Sequence, residues 1–116
     1  MKTPWTLAIL AAVLSACQTV EPEPIAEADP EDRALAQAAC GGCHSVEAYG
    51  LSPNSDAPEF PAIANRRNLT RETLTTWLVD AHNYPEEMDF YLEDDEVQQL
   101  VDYILTLRRV DYHPPY

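Results

Sequence analysis

Residues 38–46 read AACGGCHSV, and the fold turns on what Cys40, Cys43 and His44 are spaced to hold. Two thiols three positions apart, with an imidazole directly after the second, suit a zinc site, a redox dithiol or a covalently attached haem. A structural zinc site takes four ligands, usually in two separated pairs. Here the remaining histidines after residue 16 are His82 and His113, each placed singly, and adjacent Cys43 and His44 point in different directions. A thiol–disulfide enzyme carries its cysteines where a strand feeds a helix start, so that the dipole lowers the thiol pKa. In this chain a helix-forming stretch leads into the motif, and no β-rich segment supplies a sheet.

Haem meets neither obstacle. Cys-x-x-Cys-His is an attachment sequence for haem c, and the spacing has a geometric reason. Thiols at positions 40 and 43 meet the two vinyl groups along one porphyrin edge. His44 then swings under the iron, and Gly41 and Gly42 leave room for the ring to lie against backbone. One motif predicts one haem.

The surrounding segments read as helices. Asp29 can cap a helix with Pro30 in its first turn, and PEDRALAQAAC has the Ala, Leu and Gln content to run as helix into the cysteines. Residues 45–68 carry Gly50, Pro53, Pro58 and Pro61 and read as loop, with one helical turn near Ala62 to Asn65. Thr70 caps the next helix, with Leu69 and Leu74 as its hydrophobic staple. Leu74, Trp77, Leu78 and Ala81 then form one apolar stripe, and the helix ends before Pro85. In the last helix Leu92 and Val97 form the staple, and Asp94, Asp95 and Glu96 face the positive end of the dipole. Its stripe is Val97, Leu100, Val101, Ile104 and Leu107, and Arg108 and Arg109 close the negative end. The expectation is an all-α domain over 31–116 with three helices. So small a domain buries little surface and is marginal unaided, which fits a prosthetic group filling its middle.

The N-terminus has a different purpose. Lys2 precedes an apolar run from Trp5 to Ala16, too short for the roughly 20 residues that span a bilayer and typical of a secretory signal, here 1–16. Its end, LSAC, resembles the lipobox of bacterial lipoproteins, which implies cleavage before Cys17 and a diacylglyceryl group on its sulfur. Residues 17–30 form a Pro- and Glu-rich tether that cannot bury a core; its polyproline-like reach is roughly 40 Å. With Cys17 lipidated and Cys40 and Cys43 on haem, all three cysteines of a chain bound for an oxidising compartment are used. Gln18 after the anchor cysteine, rather than Asp, favours the outer membrane in a Gram-negative source. Formal net charge is −13, from 20 acids against 7 bases. Nucleic acid and anionic lipid headgroups are therefore poor partners, and a protein partner is expected to present a basic face.

From about Glu31 to Arg109 the chain resembles a small class I cytochrome c domain. The resemblance rests on DRALAQAACGGCH, APEFPAIANR (57–66), LTRETLTTWLVDAH, Met88 and LEDDEVQQLVDYILTL. It implies a haem wrapped by helices, the first and last crossing each other. It also implies Met88 as second axial ligand, with His82 as the rival, and Pro58 as the residue whose carbonyl accepts a hydrogen bond from haem-bound His44. Trp77 and Tyr103 are expected at the pocket or the helix crossing. Two positions depart from the family pattern: Asp32 stands where glycine is common, and Asp89 instead of proline follows Met88.

An iron with two strong protein ligands has no open position for substrate but can exchange electrons through an exposed edge. The expected function is therefore a periplasm-facing, lipid-anchored electron carrier, not an enzyme. The acidic residues Glu86, Glu87, Asp89, Asp94 and Asp95 suit docking to a basic partner, with association that slows as salt rises. Two alternatives stay open. A permanent haem subunit of a dehydrogenase or reductase would co-purify with larger chains, and a gas sensor would bind CO rapidly at a yielding Met88 bond.

Overall fold

The computed structural model describes residues 27–80, 86–88 and 90–114. The signal segment, Cys17, most of the tether, Ala81, His82 and Asp89 lie outside the described residues. Four helices follow in chain order: α1 (Pro30–Cys40), α2 (Phe60–Ala64), α3 (Arg71–Asp80) and α4 (Asp94–Thr106), with a 3₁₀ turn at Glu86–Met88 before α4. No strand occurs among the described residues, as the all-α reading expects.

Helices α1, α3 and α4 begin where their capping chemistry places them. The Glu31 N–H donates to Asp29 Oδ1 at 2.8 Å, with Pro30 in the first turn of α1. At α3 the Thr73 N–H donates to Thr70 Oγ1 at 3.2 Å, while the Thr70 N–H donates to Thr73 Oγ1 at 2.9 Å. At α4 the Glu93 N–H donates to Glu96 Oε2 at 2.9 Å, a capping-box contact that satisfies one otherwise orphaned donor. Of the staple residues, Leu74, Leu92 and Val97 are buried and Leu69 is partly buried against the core.

The core forms where α4 meets the other three helices. From α4 it takes Val97, Leu100, Val101, Tyr103 and Ile104; from α1, Ala36; from α2, Phe60, Ile63 and Ala64; from α3, Leu74 and Leu78. Ala36 has no side-chain bulk beyond Cβ and is wholly buried, so α1 can lie close to α4. One turn earlier the half-buried Asp32 sits among like charges. Its carboxyl pKa is raised first by partial burial and then by Asp29, Asp102 and Glu31. Asp102 itself pairs with Arg71, bridging α3 to α4 at the surface, and Arg33 pairs with Glu47 at 2.5 Å. Such exposed pairs contribute at most about 1 kcal/mol each.

Three expectations need correction. The turn placed near 62–65 is a helix at 60–64 with Pro61 in its first turn, because proline's fixed φ and missing N–H suit that position. The described residues thus hold four helices instead of three. Trp77, placed in a buried stripe, is 47% exposed; it lies on the wall of the cavity described below. Arg108 and Arg109 do not close α4, which ends at Thr106. Arg108 instead donates through Nε to the Ala64 carbonyl at 2.9 Å and through its guanidinium to the Leu69 carbonyl, binding the end of α2 to the chain entering α3. Arg109 lies over the rings of Tyr49 and Tyr112, 4.8 and 5.5 Å from their centroids.

Asn65 completes this corner. Its Nδ2 donates to the Pro61 carbonyl at 2.8 Å and to the Leu107 carbonyl at 3.3 Å, and its Oδ1 accepts the Arg109 N–H at 3.0 Å. Asn68, at φ 61°, takes the left-handed conformation that asparagine tolerates better than most residues. The chain can then turn back from α2 into α3.

Candidate haem site

The attachment motif is the C-terminal end of α1 continued into a tight turn. The Cys40 carbonyl accepts the Cys43 N–H at 3.1 Å and the His44 N–H at 2.9 Å, and the Gly41 N–H returns to the Gln37 carbonyl at 3.1 Å. This winding brings Cys40, Cys43 and His44 onto one cavity wall. The two glycines differ in purpose. A Cβ at Gly41 would come within 2.5 Å of the Gln37 carbonyl oxygen, whereas one at Gly42 would meet nothing within 4 Å. Gly42 lines the cavity, so it alone keeps the room expected of both.

After His44 the chain folds back beneath the ring. The Ser45 N–H donates to Ser52 Oγ at 3.0 Å, the Asn54 N–H to the Cys43 carbonyl at 3.1 Å, and the Phe60 N–H to the Ser45 carbonyl at 2.9 Å. Gly50 turns this loop at φ +127°, a conformation that side chains disfavour. The loop delivers the Pro58 carbonyl to His44 Nδ1 at 2.7 Å. A carbonyl can only accept, so Nδ1 carries the proton and the lone pair of the neutral ring lies on Nε2. Fixing the tautomer through the other ring nitrogen is how proteins prepare histidine as a metal ligand.

The cavity measures about 480 Å³, within the range of small-molecule and cofactor sites. Leu100 and Ile104 of α4 form its floor and Trp77 and Leu78 of α3 one side, while Met88 and Phe90 come from the segment between α3 and α4. Met88 ends the 3₁₀ turn, and its carbonyl accepts the Phe90 N–H at 2.9 Å. Cys40, Cys43, His44, Pro58 and Met88 therefore line one space. His82 and Cys17 fall outside the described residues.

The residues fit a porphyrin better than the rival chemistries. Both thiols are free, and burial, with the neighbouring Cys43, pushes the Cys40 thiol up to about 11. A catalytic dithiol needs a depressed thiol pKa, the opposite direction. Among the described residues no three His, Cys, Asp or Glu side chains converge as a metal site, so none of them forms a zinc ligand set. The apolar floor, the half-exposed Trp77 and a histidine with its lone pair on Nε2 instead suit a flat, apolar ring carrying its own metal.

Phe60 and Tyr103 complete the proximal side. Phe60 tilts against His44 with ring centroids 5.7 Å apart. Tyr103 is not at the cavity wall; it is buried behind Phe60, its hydroxyl donating to the Val46 carbonyl at 2.8 Å. In the sequence Phe60 had no periodicity to mark it, because it sits in a proline-bounded stretch, and only its apolar character in a polar loop was available as a signal.

Residues 33–108 match the family model described as Cytochrome c. Among curated proteins, Cytochrome c-552 of Bradyrhizobium diazoefficiens is 32% identical over 74 residues, covering 64% of this chain and 69% of that protein. No solved structure matches the chain significantly.

Proposed function

The chain belongs to the cytochrome c family, and on that premise we propose that it is a lipid-anchored electron carrier facing the periplasm, with His44 and Met88 as iron ligands. The family membership itself carries the coarser statements. The fold is that of class I cytochrome c, Cys40 and Cys43 belong to the motif that attaches one haem c covalently, and the role is electron transfer. Bound haem supplies a reversible one-electron couple; the protein supplies axial ligands, an apolar surround and docking surface.

The observation that carries the proposal is the single cavity shared by Cys40, Cys43, His44 and Met88, with His44 already oriented by Pro58 at 2.7 Å. His44 presents Nε2 and Met88 the remaining soft donor on the lining. Met/His ligation raises the potential relative to two histidines, which suits a carrier. Exposed Glu86, Asp94 and Asp95 near the Met88 segment support docking to a protein with a basic face. The LSAC ending and the acidic, proline-rich stretch after it support a tether that confines the domain to a membrane surface and raises its effective concentration near partners.

Optical and EPR spectra of the wild type beside Met88→Ala test the ligand assignment. The variant is expected to lose the signature of sulfur ligation in both oxidation states, and unchanged axial ligation would refute the assignment. The anchor has a separate test. Cys17→Ser is expected to move the protein from the detergent phase to the aqueous phase on phase partition, and a wild type already in the aqueous phase would remove the anchor from the proposal.

A further inference from the structure

Behind His44 lies a bracket that the attachment motif does not itself require. Phe60 tilts against His44 at 51°, and Tyr103 tilts against Phe60 at 55° with centroids 6.4 Å apart. The Tyr103 hydroxyl reaches from α4 to the Val46 carbonyl at 2.8 Å. The preceding carbonyl, of Ser45, accepts the Phe60 N–H at 2.9 Å. Both residues that follow His44 are thus fastened by their carbonyls, one to Phe60 and one to Tyr103. Pro58, which orients His44 directly, stands two residues before Phe60 in the same fastened segment.

These contacts are dry. Val46, Phe60 and Tyr103 are 1%, 3% and 2% exposed, so a released carbonyl finds no water to replace its donor and is costly to free. Burial also raises the Tyr103 phenol, which keeps the hydroxyl a donor through neutral pH. A contact that is costly to break, placed two residues from a ligand, limits where that ligand can move.

We propose that Tyr103 is a positioning residue for the proximal histidine. Its hydroxyl acts through Val46 and its ring through Phe60 to hold the His44–Pro58 hydrogen bond in alignment. The inference rests on His44 being the iron ligand. A well-aligned Nδ1–H···O=C bond makes Nε2 more basic, and a more basic ligand favours the oxidised metal. Loosening the bracket weakens that bond and raises the reduction potential.

Tyr103→Phe in the full-chain holoprotein keeps the ring and deletes only the hydroxyl. The expected result is an upward shift of the reduction potential by voltammetry. It should be accompanied by displaced His44 ring signals in the paramagnetic NMR spectrum of the oxidised protein. Leu74→Ala is the companion variant. It opens the core on α3, where Leu74 is buried outside both the bracket and the cavity lining, so the melting temperature should fall while the potential stays at the wild-type value. An unchanged potential and unchanged His44 signals in Tyr103→Phe would overturn the inference. So would potentials that move in both variants in proportion to lost stability, the mark of a merely structural residue. Failure of the underlying ligand reading is recognised separately, in the wild type, by the absence of strongly shifted His44 ring signals, and it removes this inference as well.

Discussion

Replacing Cys40 and Cys43 together by alanine is expected to abolish all haem that resists acidified organic extraction. It should also leave a poorly folded polypeptide. Both thiols are free, and both stand on the wall of the cavity of about 480 Å³ around which the helices are arranged. Leu78, Leu100 and Ile104 are buried yet border that cavity, and Trp77 beside them is 47% exposed, so a bound ring adds apolar contact to the core the helices already form. Apolar contact with a prosthetic group contributes roughly 25 cal/mol per Å², and a domain of this size has little to spare. The measurement is haem absorbance of the extracted protein beside wild type, followed by circular dichroism on heating. Each single variant should keep one bond and show a reduced absorption band shifted to longer wavelength, because one vinyl group stays conjugated with the ring. Extraction-resistant haem in the double variant would mean that attachment runs through another residue.

Leu100→Ala is expected to cost about 2–5 kcal/mol, the range for a buried leucine truncated in a core that cannot fully collapse. Leu100 is 0% exposed. It lies in the middle of α4, the helix that contacts each of the other three, and it also borders the cavity. Its neighbours Val97, Val101 and Ile104 are fixed on the same helix and cannot slide in to fill the gap. Denaturant unfolding of the holoprotein followed by the haem absorbance and by circular dichroism measures the loss. A cost below about 1 kcal/mol, outside that range, would show that α4 is not the seam of the fold.

The helices were legible because their signals are local. Asp29 with Pro30, Thr70 with Leu69 and Leu74, and Leu92 with Val97 each place a capping or staple residue within a few positions of the helix it starts. The 60–64 helix was misplaced because Pro61 reads as a breaker in isolation, although it is well suited to a first turn. Trp77 divides: the family resemblance expects it at the pocket, where it lies, whereas its spacing along α3 is that of a core residue and it is 47% exposed. Arg108 sits where a basic residue would meet its own helix end, and only the approach of Ala64 and Leu69 in space redirects it.

The candidate site divides in the same way. Cys40, Cys43 and His44 are consecutive enough for their spacing along one helix end to dictate their chemistry, so the sequence alone determined what the domain binds and, with it, the all-α class. The Pro58 carbonyl at His44 was expected from the family resemblance and not from any local pattern, while that Gly42 and not Gly41 keeps the room, and that Phe60, Tyr103 and Val46 form a bracket behind the ligand, were decided by tertiary structure. Those contacts join residues 14 to 57 positions apart, and no local pattern encodes them. They exist because α4 and the 45–59 loop share one core, and a buried carbonyl there must find its donor across the fold.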